Sequence, residues 1–320
     1  MSVLVYVETW EGKLKKASYE AASYGARLAS RLGTDAYAIV LNASDDASVL
    51  GKYGIKKTFS VKGEHFQHFH NYKYVEAIAH VAEQIQAKAL VLSGTFTGKM
   101  VAPLLAVKIN AALITNVVSD PQEVTPLTVK RSAFSNKGFV YYESQSEVNI
   151  LSILPNALGV SESTGQGEVE EIVHTPETNI EIQIVEIDKV KGKVPLPEAE
   201  IVVSAGRGLK SPDNWGMIEE LAEALGASTA CSKPVSDMHW RPHSEHVGQT
   251  GITINPQLYI AIGISGAIQH LAGVSGSKTI VVINSDPEAP FFKAADYGVV
   301  GDAFKVVPAL TEAIRKFKAQ

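Results

Sequence analysis

Small and polar residues gather after three β-branched runs, and that spacing is the first sign of chemistry. Ala205-Gly206-Arg207-Gly208 follows Ile201-Val-Val-Ser204, Gly263-Ile264-Ser265-Gly266 closes the run Leu258 to Gly263, and Asn284-Ser285-Asp286 closes Thr279 to Asn284. In an open parallel sheet, such strand ends line the ligand crevice. Glycine lets backbone approach a ligand closely. A helix read as starting at Gly266 would also aim unpaired N–H groups and a positive dipole end at whatever sits there. One such loop is equally well explained as an ordinary turn, but three converging loops favour an anionic, nucleotide-type ligand.

The familiar phosphate motifs fit poorly. Gly206-Arg207-Gly208 lacks the third glycine of the dinucleotide fingerprint, so NAD is weakly indicated. Gly94-Thr-Phe-Thr-Gly98-Lys99-Met100 mimics a P-loop after a strand. It is one residue short, however, and has Met where the Mg²⁺-binding Ser or Thr belongs. Two histidine groups, His65/His68/His70 and His239/His243/His246, lack a thiolate or Glu-x-x-His companion and are expected to be exposed rather than metal ligands. Cys231 has no His or Asp beside it in sequence and is expected to be packed, not reactive. Paired catalytic carboxylates and a nucleophile elbow are absent.

The elements that position these loops follow from hydrophobic periodicity. From residue 2 to about 118, strand-like runs (Val3 to Val7, Tyr37 to Leu41, Leu90 to Ser93) alternate with helical patterns, as parallel βαβ units do. Ala17, Ala21, Tyr24, Leu28 and Leu32 form one helical stripe before Gly33, a C-cap. Val75, Ile78, Ala82 and Ile85 form another within Asn71 to Gln86, with Asn71 as N-cap. From Val124 to about Leu154, extended segments broken by Ser135-Asn136-Lys137-Gly138 read as antiparallel strands added to the sheet edge. Residues 159–179 read as polar and irregular, 180–187 as a strand, and 189–199 as a hinge. The second half restarts the alternation. A helix runs from Ser211-Pro212 to Gly226, with N-cap, N1 proline and C-cap glycine in place, and a short one spans Gly266 to Leu271. A strand is read at Tyr297 to Val300 and a last helix at Pro308 to Lys318. This predicts α/β architecture in two domains, 1–194 with a mixed sheet and 195–320 with a parallel sheet.

Composition agrees with two full cores: 320 residues, 45% hydrophobic, 20% charged. Lys+Arg 29 against Asp+Glu 34 leaves −5, with signs interspersed, so neither nucleic acid nor an anionic membrane is an expected partner. A single cysteine excludes an intrachain disulfide. Met1 leads directly into Val3 to Val7 and no apolar run reaches the roughly 18 residues of a membrane span, so a cytoplasmic protein without membrane insertion is expected.

Four stretches of wording carry a family resemblance: Val203-Ser-Ala-Gly-Arg-Gly-Leu, Val247-Gly-Gln-Thr-Gly251, Ser265-Gly-Ala-Ile-Gln-His-Leu-Ala-Gly and Asn284-Ser-Asp-Pro-Glu-Ala-Pro290. In order and spacing they closely resemble the electron-transfer flavoprotein alpha subunit. The N-terminal half is similar to that family in length and α/β pattern. The resemblance implies an adenine nucleotide alpha hydrolase-like first domain and an FAD-binding second domain. It further implies a beta subunit as heterodimeric partner, holding AMP or a second FAD. Its function would be electron carriage in fatty acid β-oxidation, from acyl-CoA dehydrogenases to a quinone oxidoreductase, with no substrate of its own to transform. Alternatives are a bifurcating, NADH-using relative and a nucleotide-binding regulatory or NAD-dependent module.

Carried over by motif, the resemblance assigns FAD contacts to Arg207, Ser232 and Lys233. The loop Val247, Gly248, Gln249 and Thr250 joins them, with Thr250 near flavin N5. The run Ser265, Gly266, Ala267, Ile268, Gln269 and His270 follows, with Ser265 and the helix start at the negative end of the cofactor. His270 would favour negative charge at N1 and C2=O. Asn284 and Asp302 would serve ribose or adenine. Three departures from the family are visible. Lys233 stands where the family has arginine, keeping the charge without the planar fork. The loop 238–246 is unusual, and a cover for the flavin is expected from Trp240 or Arg241. Ala303 replaces a bulkier residue and is expected to be silent.

Overall fold

A computed structural model describes residues 2–134, 136–186 and 194–319. Two compact units result, Met1–Ala133 with Phe139–Asp188, and Phe134–Gly138 with Lys189–Gln320.

The first unit contains β1 (Ser2–Val7), α1 (Lys16–Leu32), β2 (Ala36–Leu41), β3 (Lys57–Val61), α2 (Asn71–Gln84), β4 (Ala87–Ser93) and α3 (Phe96–Lys108). After these come β5 (Ala112–Val117), β6 (Leu127–Ala133), β7 (Gly138–Ser144), β8 (Asn149–Ile153) and β9 (Glu168–Ile172). The sheet order is β7-β6-β5-β8-β4-β1-β2-β3-β9, with Glu123–Val124 beside β6. Alternation along β1 explains the layering. Val3, Val5 and Val7 pack under α1, whereas Leu4 and Tyr6 face α2 and α3. Gly33 caps α1 in the left-handed region at φ 65, as expected.

Several expectations are corrected in this unit. The α2 cap is His70, whose Nδ1 accepts from the Lys73 N–H at 3.4 Å, while Asn71 is the first helical residue. Only part of the 124–154 segment is an antiparallel edge: β6 runs antiparallel to β5, but β8 inserts between β5 and β4, parallel to both. All five residues of β8 are buried, and a central parallel strand must be apolar on both faces. A strand, β9, lies within 159–179, where irregular chain was expected, and pairs with β3. Residues 180–186 form no strand, and the Ile180 carbonyl meets His70 Nε2 at 3.0 Å instead. Ser135, Ile187 and residues 189–193 of the expected turn, strand and hinge lie outside the described residues.

The second unit contains β10 (Ile201–Ala205), α4 (Gly216–Leu225), β11 (Ser228–Cys231), α5 (Lys233–Asp237), β12 (Leu258–Ile262), α6 (Ile268–Val274), β13 (Thr279–Asn284), β14 (Tyr297–Val300) and α7 (Ala303–Lys318). All five strands are parallel, in the order β11-β10-β12-β13-β14. Ser211 caps the turn Pro212–Trp215 through the Asp213 N–H, and Gly226 closes α4 at φ 73, both as expected. On one face, Val203 and Ala205 pack with α4 and α7; on the other, Val202 packs with Val247, Ile254, Val274 and Phe291. The 247–254 segment is therefore itself part of the core cover.

Two helix starts are corrected here. α6 begins at Ile268 rather than Gly266, and its seven residues do not present the helix terminus expected at Gly266. α7 begins at Ala303, capped by Asp302, with Pro308 inside the helix at the cost of one backbone bond. Among the described residues, no helix is long and apolar enough to cross a membrane.

Candidate functional site

The chain leaves β10 for β11 on one side and returns to β12 on the other, so the switch point of the sheet lies between β10 and β12. This is where open α/β sheets bind ligands. The loops leaving these two strands touch backbone to backbone. A Cβ on Gly206 would lie 2.4 Å from the Gly263 carbonyl oxygen, and one on Gly208 would lie 2.6 Å from Gly263 Cα. The glycines expected to admit a ligand thus first admit each other.

Further contacts join Ser232, Gly248, Gln249, Ser265, Gln269 and Asn284 to these loops as a connected rim. The Gln249 N–H donates to the Gln269 carbonyl at 2.7 Å, and Gly248 packs on Gly273, where a Cβ would come within 2.5 Å of the Gly248 backbone. Asn284 Nδ2 donates to the Ile264 carbonyl at 3.0 Å, and the Phe291 N–H to the Ser265 carbonyl at 3.1 Å. The Ser232 N–H reaches the Ala205 carbonyl at 3.1 Å. Ser232, Val247, Gly248, Gly266 and His270 are buried, whereas Arg207, Lys233, Gln249, Thr250, Ser265, Ala267, Ile268 and Gln269 are exposed. A buried anchor under an exposed polar rim can seat an extended ligand.

Some assigned residues already have work of their own. Lys233 Nζ pairs with Asp237 at 2.9 Å, both side chains more than half exposed. Asp302 Oδ1 accepts from the Phe304 N–H and Asn284 Oδ1 from the Asp286 N–H, which leaves each with less capacity for ribose or adenine. Arg241 is not free to cover a flavin. Its guanidinium lies over Trp215 at 5.3 Å and bonds Glu245 at 2.6 and 2.8 Å and Glu219 at 3.1 Å. Trp240 packs against the α4 core. Cys231 is fully buried, and burial pushes its thiol up to about 12, so it is inert at neutral pH. Among the described residues, no group of three His, Cys, Asp or Glu side chains is arranged to hold a metal.

Electrostatics also revise the role of His270. Burial, and secondarily His246, pushes its imidazole down to about 4, so at neutral pH it is uncharged and acts as a hydrogen-bonding group. Its Nε2 lies 2.8 Å from the Tyr259 hydroxyl, while Nδ1 is buried with no partner. An orphaned buried nitrogen in this rim fits a cofactor that brings its own polar edge. Sequence reasoning missed Tyr259, because its contact with His270 is made by folding and not by local spacing, and it gave Arg241 a covering role in place of the clamp on Glu219 and Glu245.

A parallel sheet with glycine loops locked at its switch point and an unspent buried imidazole defines an α/β protein that binds a nucleotide-type cofactor. Residues 3–177 match the electron transfer flavoprotein domain, and residues 195–275 match the electron transfer flavoprotein FAD-binding domain. The chain is 34% identical to the electron transfer flavoprotein subunit alpha of Syntrophomonas wolfei over 98% of both chains. It is 35% identical to that of Bacillus subtilis, over 98% of this chain and 97% of that one. It is 32% identical to protein FixB of Clostridium saccharobutylicum, over 96% and 94% respectively. The chain belongs to the electron transfer flavoprotein alpha-subunit family, and its cofactor is FAD.

Proposed function

We propose that this chain is the FAD-bearing subunit of a heterodimeric electron carrier. It would take electrons from acyl-CoA-type dehydrogenases and release them to a quinone oxidoreductase, transforming no substrate of its own. The beta subunit would hold AMP, and the domain boundary would fall between residues 194 and 195. The observation that carries this reading is the joined rim of Gly206, Gly263, Gln249 and Gln269, set at the switch point within a domain of the FAD-binding family.

FAD, when bound, supplies redox chemistry in one-electron and two-electron steps. The chain's own residues bind and tune it. Ser265 and the 247–250 loop would grip the cofactor, with the Thr250 hydroxyl presented to N5. Arg207 and Lys233 would place positive charge near the ring and favour the reduced, more negative form. His270 would add a hydrogen bond without a charge, given its depressed basicity. Asn284 and Asp302 would meet the adenosine half with the acceptor capacity their loop bonds leave.

The test is an absorption spectrum of the pair co-purified with its beta subunit during stepwise reduction. A yellow complex with one FAD per heterodimer, reduced in single-electron increments, is expected. Two flavins would instead point to the bifurcating relative. A folded, colourless pair that refuses added FAD overturns the proposal.

A further inference from the structure

Tyr259 is fully buried on β12, and its ring stacks on Phe291 with centroids 6.2 Å apart. Phe291 in turn meets the His270 ring edge-on at 5.7 Å, so three side chains from β12, α6 and the turn after β13 fix one another. The Tyr259 hydroxyl lies 2.8 Å from His270 Nε2, and the buried Ser204 hydroxyl is a second hydrogen-bonding neighbour of the phenol. His270 Nδ1 is shielded from water and has no partner.

Counting protons selects the tautomer. A neutral imidazole carries a single N–H, and a phenol carries a single O–H. If the phenol donates to Nε2, the imidazole proton sits on Nδ1, and one buried donor is left unspent. If Nε2 carried the proton, the phenol O–H would turn to the Ser204 oxygen, and the serine O–H and the Nδ1 lone pair would both lack partners, whereas in the first arrangement the serine can donate to the phenol oxygen. The first arrangement leaves fewer buried polar groups unsatisfied. Burial raises the Tyr259 phenol well above its ordinary range, against a smaller opposing effect of the Ser204 hydroxyl, and depresses the imidazole. Both groups are therefore neutral at pH 7.

We propose that Tyr259 is a positioning residue. It holds His270 as the Nδ1–H tautomer and so reserves that N–H as the donor for the electron-rich pyrimidine edge of the flavin. This rests on the FAD reading above and adds to it the residue that decides which nitrogen carries the proton. The tyrosine itself touches no cofactor. A partner on one ring nitrogen sets the chemistry of the other.

The full-length chain, labelled with ¹⁵N at histidine, tests the lock without any flavin. His270 signals, identified by their loss in His270→Gln, should show a protonated Nδ1 and a bare Nε2 at pH 7. Tyr259→Phe should redistribute the proton between the two nitrogens. A wild-type His270 protonated at Nε2 overturns the proposal, whether or not the Phe variant folds. So does an unchanged Nδ1–H in Tyr259→Phe.

In the FAD-loaded heterodimer, Tyr259→Phe should weaken reduced-flavin binding about tenfold more than oxidised-flavin binding, which lowers the two-electron potential by about 30 mV. In the His270→Gln background, the same substitution should leave the potential unchanged, because the tyrosine acts through the histidine. An equal shift in both backgrounds would mean a merely structural role and would overturn the proposal. Failure of the heterodimer to take FAD at all would count against the functional reading instead, and the imidazole spectra would still decide the lock.

Discussion

The Gln249 N–H donates to the Gln269 carbonyl at 2.7 Å, tying the 247–251 loop to the first turn of α6. Two motifs twenty residues apart thereby act as one platform, and beneath them Gly248 packs directly on Gly273.

That packing leaves no room for a methyl group. Gly273→Ala would place a carbon about 2.5 Å from Gly248 and must push the loop outward. Overpacking of this kind costs about 1–3 kcal/mol. FAD affinity, followed by flavin fluorescence, should fall at least about tenfold, with a lowered melting temperature. Unchanged affinity would mean that this contact does not position the loop.

Lys233 and Asp237 offer opposite perturbations of one charge. Lys233→Ala should lower the first-electron potential of the bound flavin by tens of millivolts, on a scale where about 59 mV is tenfold for one electron. Asp237→Asn, which releases Lys233 from its 2.9 Å pair, should raise it. Spectroelectrochemical titration reads both. Shifts of the same sign would remove the lysine charge from the tuning.

The Arg241 guanidinium joins α4, through Glu219, to the turn that leads into Val247, through Glu245, while resting on Trp215. Arg241→Ala should destabilise the second unit by about 2 kcal/mol, because packing and charge pairing are lost together. Arg241→Lys should recover only part of that, since lysine lacks the fork that spans both Glu245 oxygens. Urea denaturation of the full chain measures each. Equal midpoints for Ala and wild type would show that the clamp contributes nothing.

Burial depresses both His270, to about 4, and His246. In the unfolded chain such groups take up protons near pH 6.5, so between about 6.5 and 4 the unfolded state binds more protons than the folded one. The contribution of these two groups to stability is therefore fully present above pH 6.5 and is lost as pH drops through that window. His270 contributes a slope of up to about 1.4 kcal/mol per pH unit. Denaturation midpoints at pH 7.5, 6 and 5 should show the decline, and His270→Gln should flatten it. An equally steep decline in the variant would mean that other groups set it.

Much of the fold is legible in local signals. Ser211, Pro212 and Gly226 bracket a helix because a cap acts within one turn of itself. Val3 to Val7 and Thr279 to Asn284 are strands because their residues suit burial on both faces. The same locality misplaces the start of α6. Gly266 looks like a helix opening, yet its backbone is left-handed at φ 84 and Phe291 packs so close that a Cβ would lie 2.5 Å away, so glycine is required there by the tertiary contact and not by a helix start.

The sequence by itself determined the two α/β halves, the loops at the strand ends and the family wording that points to FAD. Each of these is written in neighbours within a few residues of one another. Only the tertiary structure decided that β8 sits in the middle of its sheet, that Gly206 and Gly208 close on Gly263, and that His270 is neutral with its Nε2 held by Tyr259. Desolvation and proton placement are set by groups that folding brings together from distant positions, and no local spacing encodes them.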